Sequence, residues 1–236
     1  MRTSILLLVS SFWLHVGAHS WLDAITCGDK VGYARNFSSR DALLRDGLIF
    51  DRFMTYRLEN RNASQPLCAP TQRAPLQRAS HPRLVCAPGD TVTFYYNENG
   101  HVTKDKCQPN DPRGCDGIYA KNTPWYIYWD VSSDTSITTR NDTTRALPLG
   151  RKTNTTRLVE LGRGLFDDGL CGETSKYGRP RARQGRPCIG SFQLPPMNAS
   201  NNSNSTHVLS LVWHWVFDKV YGVGEEYTTC FDIALA

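Results

Sequence analysis

Apolar and polar positions alternate with period two along several short stretches of this chain. In Thr91–Asn97, Val92, Phe94 and Tyr96 alternate with Thr91, Thr93 and Tyr95. Such alternation sends one set of side chains to a buried sheet face and the other to an exposed one. Over Val208–Phe217, Leu209, Leu211, Trp213, Trp215 and Phe217 fall on one face, and Ser210, Val212, His214 and Val216 on the other. Pro124–Trp129 is aromatic and strand-like, and Tyr227–Ala234 predicts a final strand. Asp41–Asp46 offers one helical turn, and no ten-residue segment carries a capped helical stripe. Long stretches rich in Gly, Pro, Asn, Arg and Ser separate the strands. The pattern predicts an all-β fold, an immunoglobulin/fibronectin III-like antiparallel β-sandwich with long disulfide-linked loops. Loops of such length are usually functional or disordered, so a broad surface is expected at one end of the sandwich.

The first 18 residues read as a signal peptide: Arg2, then the apolar runs Ile5–Val9 and Phe12–Val16, then the small-residue site Val16-Gly17-Ala18. The expectation is a leader over 1–18 and a single domain over 19–236, beginning at His19. No later segment is apolar enough to span a membrane. Loss of Arg2 lowers the formal charge from +5 to +4. So mild an excess, without a basic stripe or a recognisable module, points away from nucleic acid. The Arg-rich run 179–186 is also rich in Pro and Gly and reads as a solvated loop.

All eight cysteines follow the leader: Cys27, Cys68, Cys86, Cys107, Cys115, Cys171, Cys188 and Cys230. An even number in an exported chain predicts four disulfides, in one of 105 pairings. Seven Asn-X-Ser/Thr sequons, at Asn36, Asn62, Asn141, Asn154, Asn198, Asn201 and Asn204, predict glycans on surface loops. Both features imply a secreted, extracellular glycoprotein.

A histidine at the mature N-terminus offers two nitrogens to one metal ion, the α-amine and Nδ1. The amine has a reference pKa near 8, so a metal can displace its proton near neutral pH. A second imidazole would complete a set of three nitrogens, which suits copper. Four later histidines compete for that role. His101 follows the 91–97 strand through Glu98-Asn99-Gly100 and would project from the end of the sandwich. His81 and His207 read as loop residues, and His214 as a strand residue with a buried partner.

Three motifs together resemble the lytic polysaccharide monooxygenases, especially their fungal members. They are the post-leader His19-Ser20-Trp21, the turn Asn99-Gly100-His101-Val102-Thr103, and the strand Tyr227-Thr228-Thr229-Cys230-Phe231-Asp232-Ile233. The resemblance covers both ends and one central motif, about a third of the chain. It implies one copper ion in a brace made by His19 and His101, with Tyr227 as the axial ligand. It also implies His214 as a polar strand histidine, and a glutamine two residues before the tyrosine. Glu225 stands there instead, which would alter proton delivery and the charge near the metal. The implied activity is oxidative cleavage of a polysaccharide, using an external electron donor, by a monomer.

Two other classes fit the same residues. One is a secreted copper-binding protein of the same fold without oxidative cleavage, for which Glu225 speaks. The other is a metal-free glycan-binding or structural protein. A hydrolase fits less well. Asp167-Asp168 and Glu225-Glu226 are adjacent in sequence, so on a strand each pair would point to opposite faces.

Overall fold

The computed structural model describes residues 19–47, 53–59, 62–99, 107, 109, 111, 113–132, 137–151, 153, 155–172, 182, 183, 185–196, 207–217 and 224–236. Thirteen strands occur among them: β1 (His19–Cys27), β2 (Lys30–Gly32), β3 (Tyr56–Glu59), β4 (Leu84–Cys86), β5 (Thr91–Asn99), β6 (Cys115–Asp116), β7 (Tyr119–Ala120), β8 (Pro124–Asp130), β9 (Leu147–Pro148), β10 (Leu158–Leu165), β11 (Cys188–Gln193), β12 (His207–Val216) and β13 (Glu225–Leu235). Two short helices, α1 (Arg40–Arg45) and α2 (Arg140–Thr143), lie in connections. The expected helical turn is α1, whose N-cap Ser39 accepts from the Ala42 N–H at 3.3 Å.

The strands form the expected sandwich. One sheet runs β11-β5-β1-β2; the other runs β3-β13-β12-β8-β10-β9, with β4 also on β13. Most pairings are antiparallel; β4 on β13 and β9 on β10 are parallel. β5 and β12 obey the period read from the sequence. Val92, Phe94 and Tyr96 are fully buried, as are Trp213 and Trp215. These residues fill the space between the sheets with Leu22, Ile25, Phe166, Phe192, Tyr227 and Phe231. Gly190 of β11 lies under the Phe94 ring, and a Cβ there would overlap it.

The seven-stranded sheet is also covered on its outer face. A second apolar cluster joins Leu58, Leu67, Tyr128, Leu158, Val212 and Cys230. The Cys68–Cys230 disulfide staples this cover to β13. Hence β13 is buried along its whole length, with Glu225, Glu226, Thr228, Thr229 and Asp232 among its buried residues.

Two further disulfides, Cys107–Cys115 and Cys171–Cys188, lie in the long connections. The expectation of eight bonded cysteines needs correction: Cys27 and Cys86 are buried free thiols. They end β1 and β4, strands of different sheets, and the Cys27 thiol donates a hydrogen bond to Asp90 Oδ2 at 3.2 Å. An even count therefore does not fix the pairing; the geometry at each sulfur does. No described helix is long and apolar enough to cross a membrane.

Candidate functional site

His19 opens β1 and pairs with Asn99 of β5. Its half-buried ring stands edge-on to the Tyr227 ring, with centroids 6.0 Å apart and planes at 74°. Tyr227 is fully buried, and Trp215, its cross-strand neighbour, stacks on it at 5.5 Å. The Tyr227 hydroxyl donates to Glu225 Oε2 at 2.8 Å, and Arg57 Nη1 lies 3.2 Å from Glu225 Oε1. The Glu225 carboxylate thus bridges a half-exposed guanidinium and a buried phenol. His19 lies beside Tyr227, and Tyr227 is bonded to Glu225. His101 lies outside the described residues.

His214 is not part of this group. Directly opposed residues of an antiparallel pair share a face, and Trp215 opposes Tyr227 while His214 opposes Thr228. His214 therefore sits on the outer face, beneath the cover over the second cluster. There its Nε2 donates to Glu226 Oε2 at 3.0 Å, and Arg140 of α2 grips the same carboxylate with bonds of 2.5 and 3.1 Å. Tyr126 and Tyr128 flank the imidazole at 6.2 and 6.0 Å. Burial alone pushes the Glu226 carboxyl up. The hydrogen bonds and charges of His214 and Arg140 outweigh it and hold the group at about 2. Sequence reasoning missed Glu226, Arg140 and Arg57. Alternation alone says that Glu226 faces away from Glu225 and Tyr227; that this is the face of His214 follows only from the β12–β13 register.

Asp167 and Asp168 also depart from expectation. They lie past the end of β10, in a turn, and converge with Cys171 so that one ligand atom from each lies within 4.8 Å of the others. This group does not fit a metal. Cys171 is bonded to Cys188, Asp168 accepts from the Leu170 and Cys171 N–H groups and pairs with Arg183, and Asp167 accepts from the Gly169 N–H. These carboxylates hold the turn.

The family described as a domain of unknown function (DUF7492) matches residues 16–236. The chain belongs to this family. No functionally curated protein matches it. Among solved structures, the chain is similar to a chitin binding domain from Burkholderia pseudomallei, with 12% identity and a TM-score of 0.42 over 93% of this chain and 100% of that one. It is also similar to a cellulose-active polysaccharide monooxygenase from M. thermophila, with 10% identity and a TM-score of 0.37 over 92% of this chain and 78% of that one.

The His19 group suits copper better than the Asp167 group does. The His19 imidazole is a nitrogen donor of the kind copper(II) accepts. The Tyr227 oxygen is anchored by Glu225 instead of being free to turn.

Proposed function

We propose that this protein is a secreted, monomeric copper protein that cleaves a polysaccharide oxidatively. In this reading residues 1–18 are removed, and the amine and ring of His19 hold one copper ion together with His101. The observation that carries it is the His19 ring set edge-on to Tyr227, whose hydroxyl is fixed by Glu225. The β1–β5 register supports the second ligand. Asn99 opposes His19, and position 101 follows two residues later, a reach of at most about 7 Å of chain.

Copper, when bound, would supply one-electron chemistry towards oxygen or hydrogen peroxide, fed by an external donor. The chain's own residues shape its surroundings. Trp215 closes the apolar side of Tyr227, Glu225 holds the phenolic proton, and Arg57 balances the carboxylate charge.

The test is N-terminal sequencing of the secreted protein followed by Cu(II) titration. The expected result is a chain starting at His19 that binds one copper ion. Outer-shell partners alone are worth 10–100-fold in affinity, so His101→Ala, or one extra residue before His19, should cost more than about 100-fold. Equal tight binding by all three proteins would overturn the site.

Glu225 favours a second reading, a copper-binding protein of the same fold without oxidative cleavage. Its carboxylate stands where the resemblance implies a glutamine. Failure of the copper-loaded protein to form peroxide from ascorbate and oxygen would select this reading.

A further inference from the structure

Asn36 occupies an unusual place among the sequons. It is the one described non-glycine residue in the left-handed region, with φ of 50°. It forms the third position of a turn closed by the Phe37 N–H on Ala34 O at 3.3 Å. The turn is pinned to β13, because Ala34 bridges Phe231 and the Arg35 N–H donates to Cys230 O at 3.0 Å. Residues 76–81 fold against it. The Asn36 N–H donates to Leu76 O at 2.9 Å, and Arg78 Nε donates to Asn36 Oδ1 at 3.1 Å. Nδ2 keeps no partner among the described residues.

Aromatic residues stand close to Asn36 in sequence, Tyr33 three positions before it and Phe37 one after. Their ring centroids are 5.1 Å apart, and His81 completes a cluster at 4.7 Å from Tyr33 and 5.0 Å from Phe37. Phe37 is buried and backs the cluster; Tyr33 and His81 remain half-exposed. Ser80 Oγ, 2.9 Å from His81 Nδ1, fixes the imidazole. Burial, aided by the Arg78 charge, lowers the His81 pKa, so the ring is neutral and apolar-faced at neutral pH. Neither of the other two described sequons has this setting. Asn62 is flanked at the same positions by Glu59 and Ala63, and Asn141 by Thr138 and Asp142.

We infer that Asn36 carries an N-linked glycan whose first N-acetylglucosamine packs on the half-exposed Tyr33 and His81 rings and clamps this turn. In the modification, Asn36 Nδ2 loses a proton and bonds to the anomeric carbon of the sugar. The bond from that carbon to a lipid-linked diphosphate breaks, and the diphosphate leaves with the electron pair; nothing is oxidised or reduced. The C–H face of the pyranose then gains dispersion contacts with the rings. The inference shares only export with the function proposed above and is independent of copper.

The test uses protein recovered from a eukaryotic culture medium, with the other six sequon asparagines changed to glutamine. N-terminal sequencing of the same sample separates a failure of processing from a failure of this proposal. Glycopeptide mass spectrometry should find Asn36 occupied. Enzymatic removal of the glycan should lower Tm by about 2–4 °C, and by less than ~1 °C in Tyr33→Ala. His81→Ala should shrink the shift too, and it decides the matter should Tyr33→Ala not fold. An unmodified Asn36 in the secreted protein, or the same Tm shift with and without the rings, would overturn the proposal.

Discussion

Glu225 and Glu226 are neighbours in sequence and live in different worlds. Glu225 faces the space between the sheets, where it holds a phenol beside His19 and reaches Arg57, half of whose side chain is in water. Glu226 faces the other way, gripped by Arg140 and His214 under a cover stapled by a disulfide. One peptide bond separates a carboxylate that holds a phenol beside His19 from one that ties a helix and an imidazole to the sheet. The lesson is that a strand's parity divides roles as firmly as distance does, since the sheet itself stands between the two faces.

The largest expected effect tests the cover. Replacing Cys68 and Cys230 with alanine opens a covalent loop spanning 162 residues, and should cost about 4 kcal/mol in urea unfolding. Copper affinity at the His19 end should be unchanged, and a parallel loss of affinity would break the division between faces. Next comes Glu226→Ala, which takes the shared carboxylate from the partly exposed Arg140 and the buried His214 and should cost about 3 kcal/mol. Glu225→Ala removes the acceptor that the Tyr227 hydroxyl uses and should cost about 1 kcal/mol. Equal losses would erase the contrast.

Acid sharpens it further. Because the folded pKa of Glu226 lies below its ordinary 4.5, its contribution is complete above that pH and is lost as pH falls towards about 2. The wild type should lose roughly 3 kcal/mol across this window, and Glu226→Gln should lack that slope. The smallest effect is that of Tyr227→Phe, about 1 kcal/mol in stability. It should nevertheless change the Cu(II) electron paramagnetic resonance spectrum, whereas Tyr128→Phe on the outer face should not.

Much of this architecture is visible in the chain. The alternation along β12 already puts His214 and Trp215 on opposite faces, and the sandwich follows from such strands. β1 was not legible as a strand, because a bulge between Leu22 and Ala24 breaks its alternation while keeping Leu22 and Ile25 opposite Tyr96 and Phe94. β10 hides for the same reason, with a bulge between Glu160 and Gly162. In β11 a buried position is filled by Gly190, which no hydrophobic pattern registers. The implied grouping of His214 with His19 and Tyr227 fails at a different step. It needed the register of β12 on β13, a non-local fact that sequence period alone does not contain.

The reduced pair Cys27 and Cys86 gives the molecule a built-in reporter. Both cysteines are buried, and burial pushes both thiols up, so neither is a ready nucleophile in the closed protein. They lie roughly 25 Å along β1 from His19, at the far end of the sandwich. An alkylating reagent reaches them only when the two sheets part there. The labelling rate therefore counts spontaneous openings of that end, with the histidine end left as its own undisturbed reference.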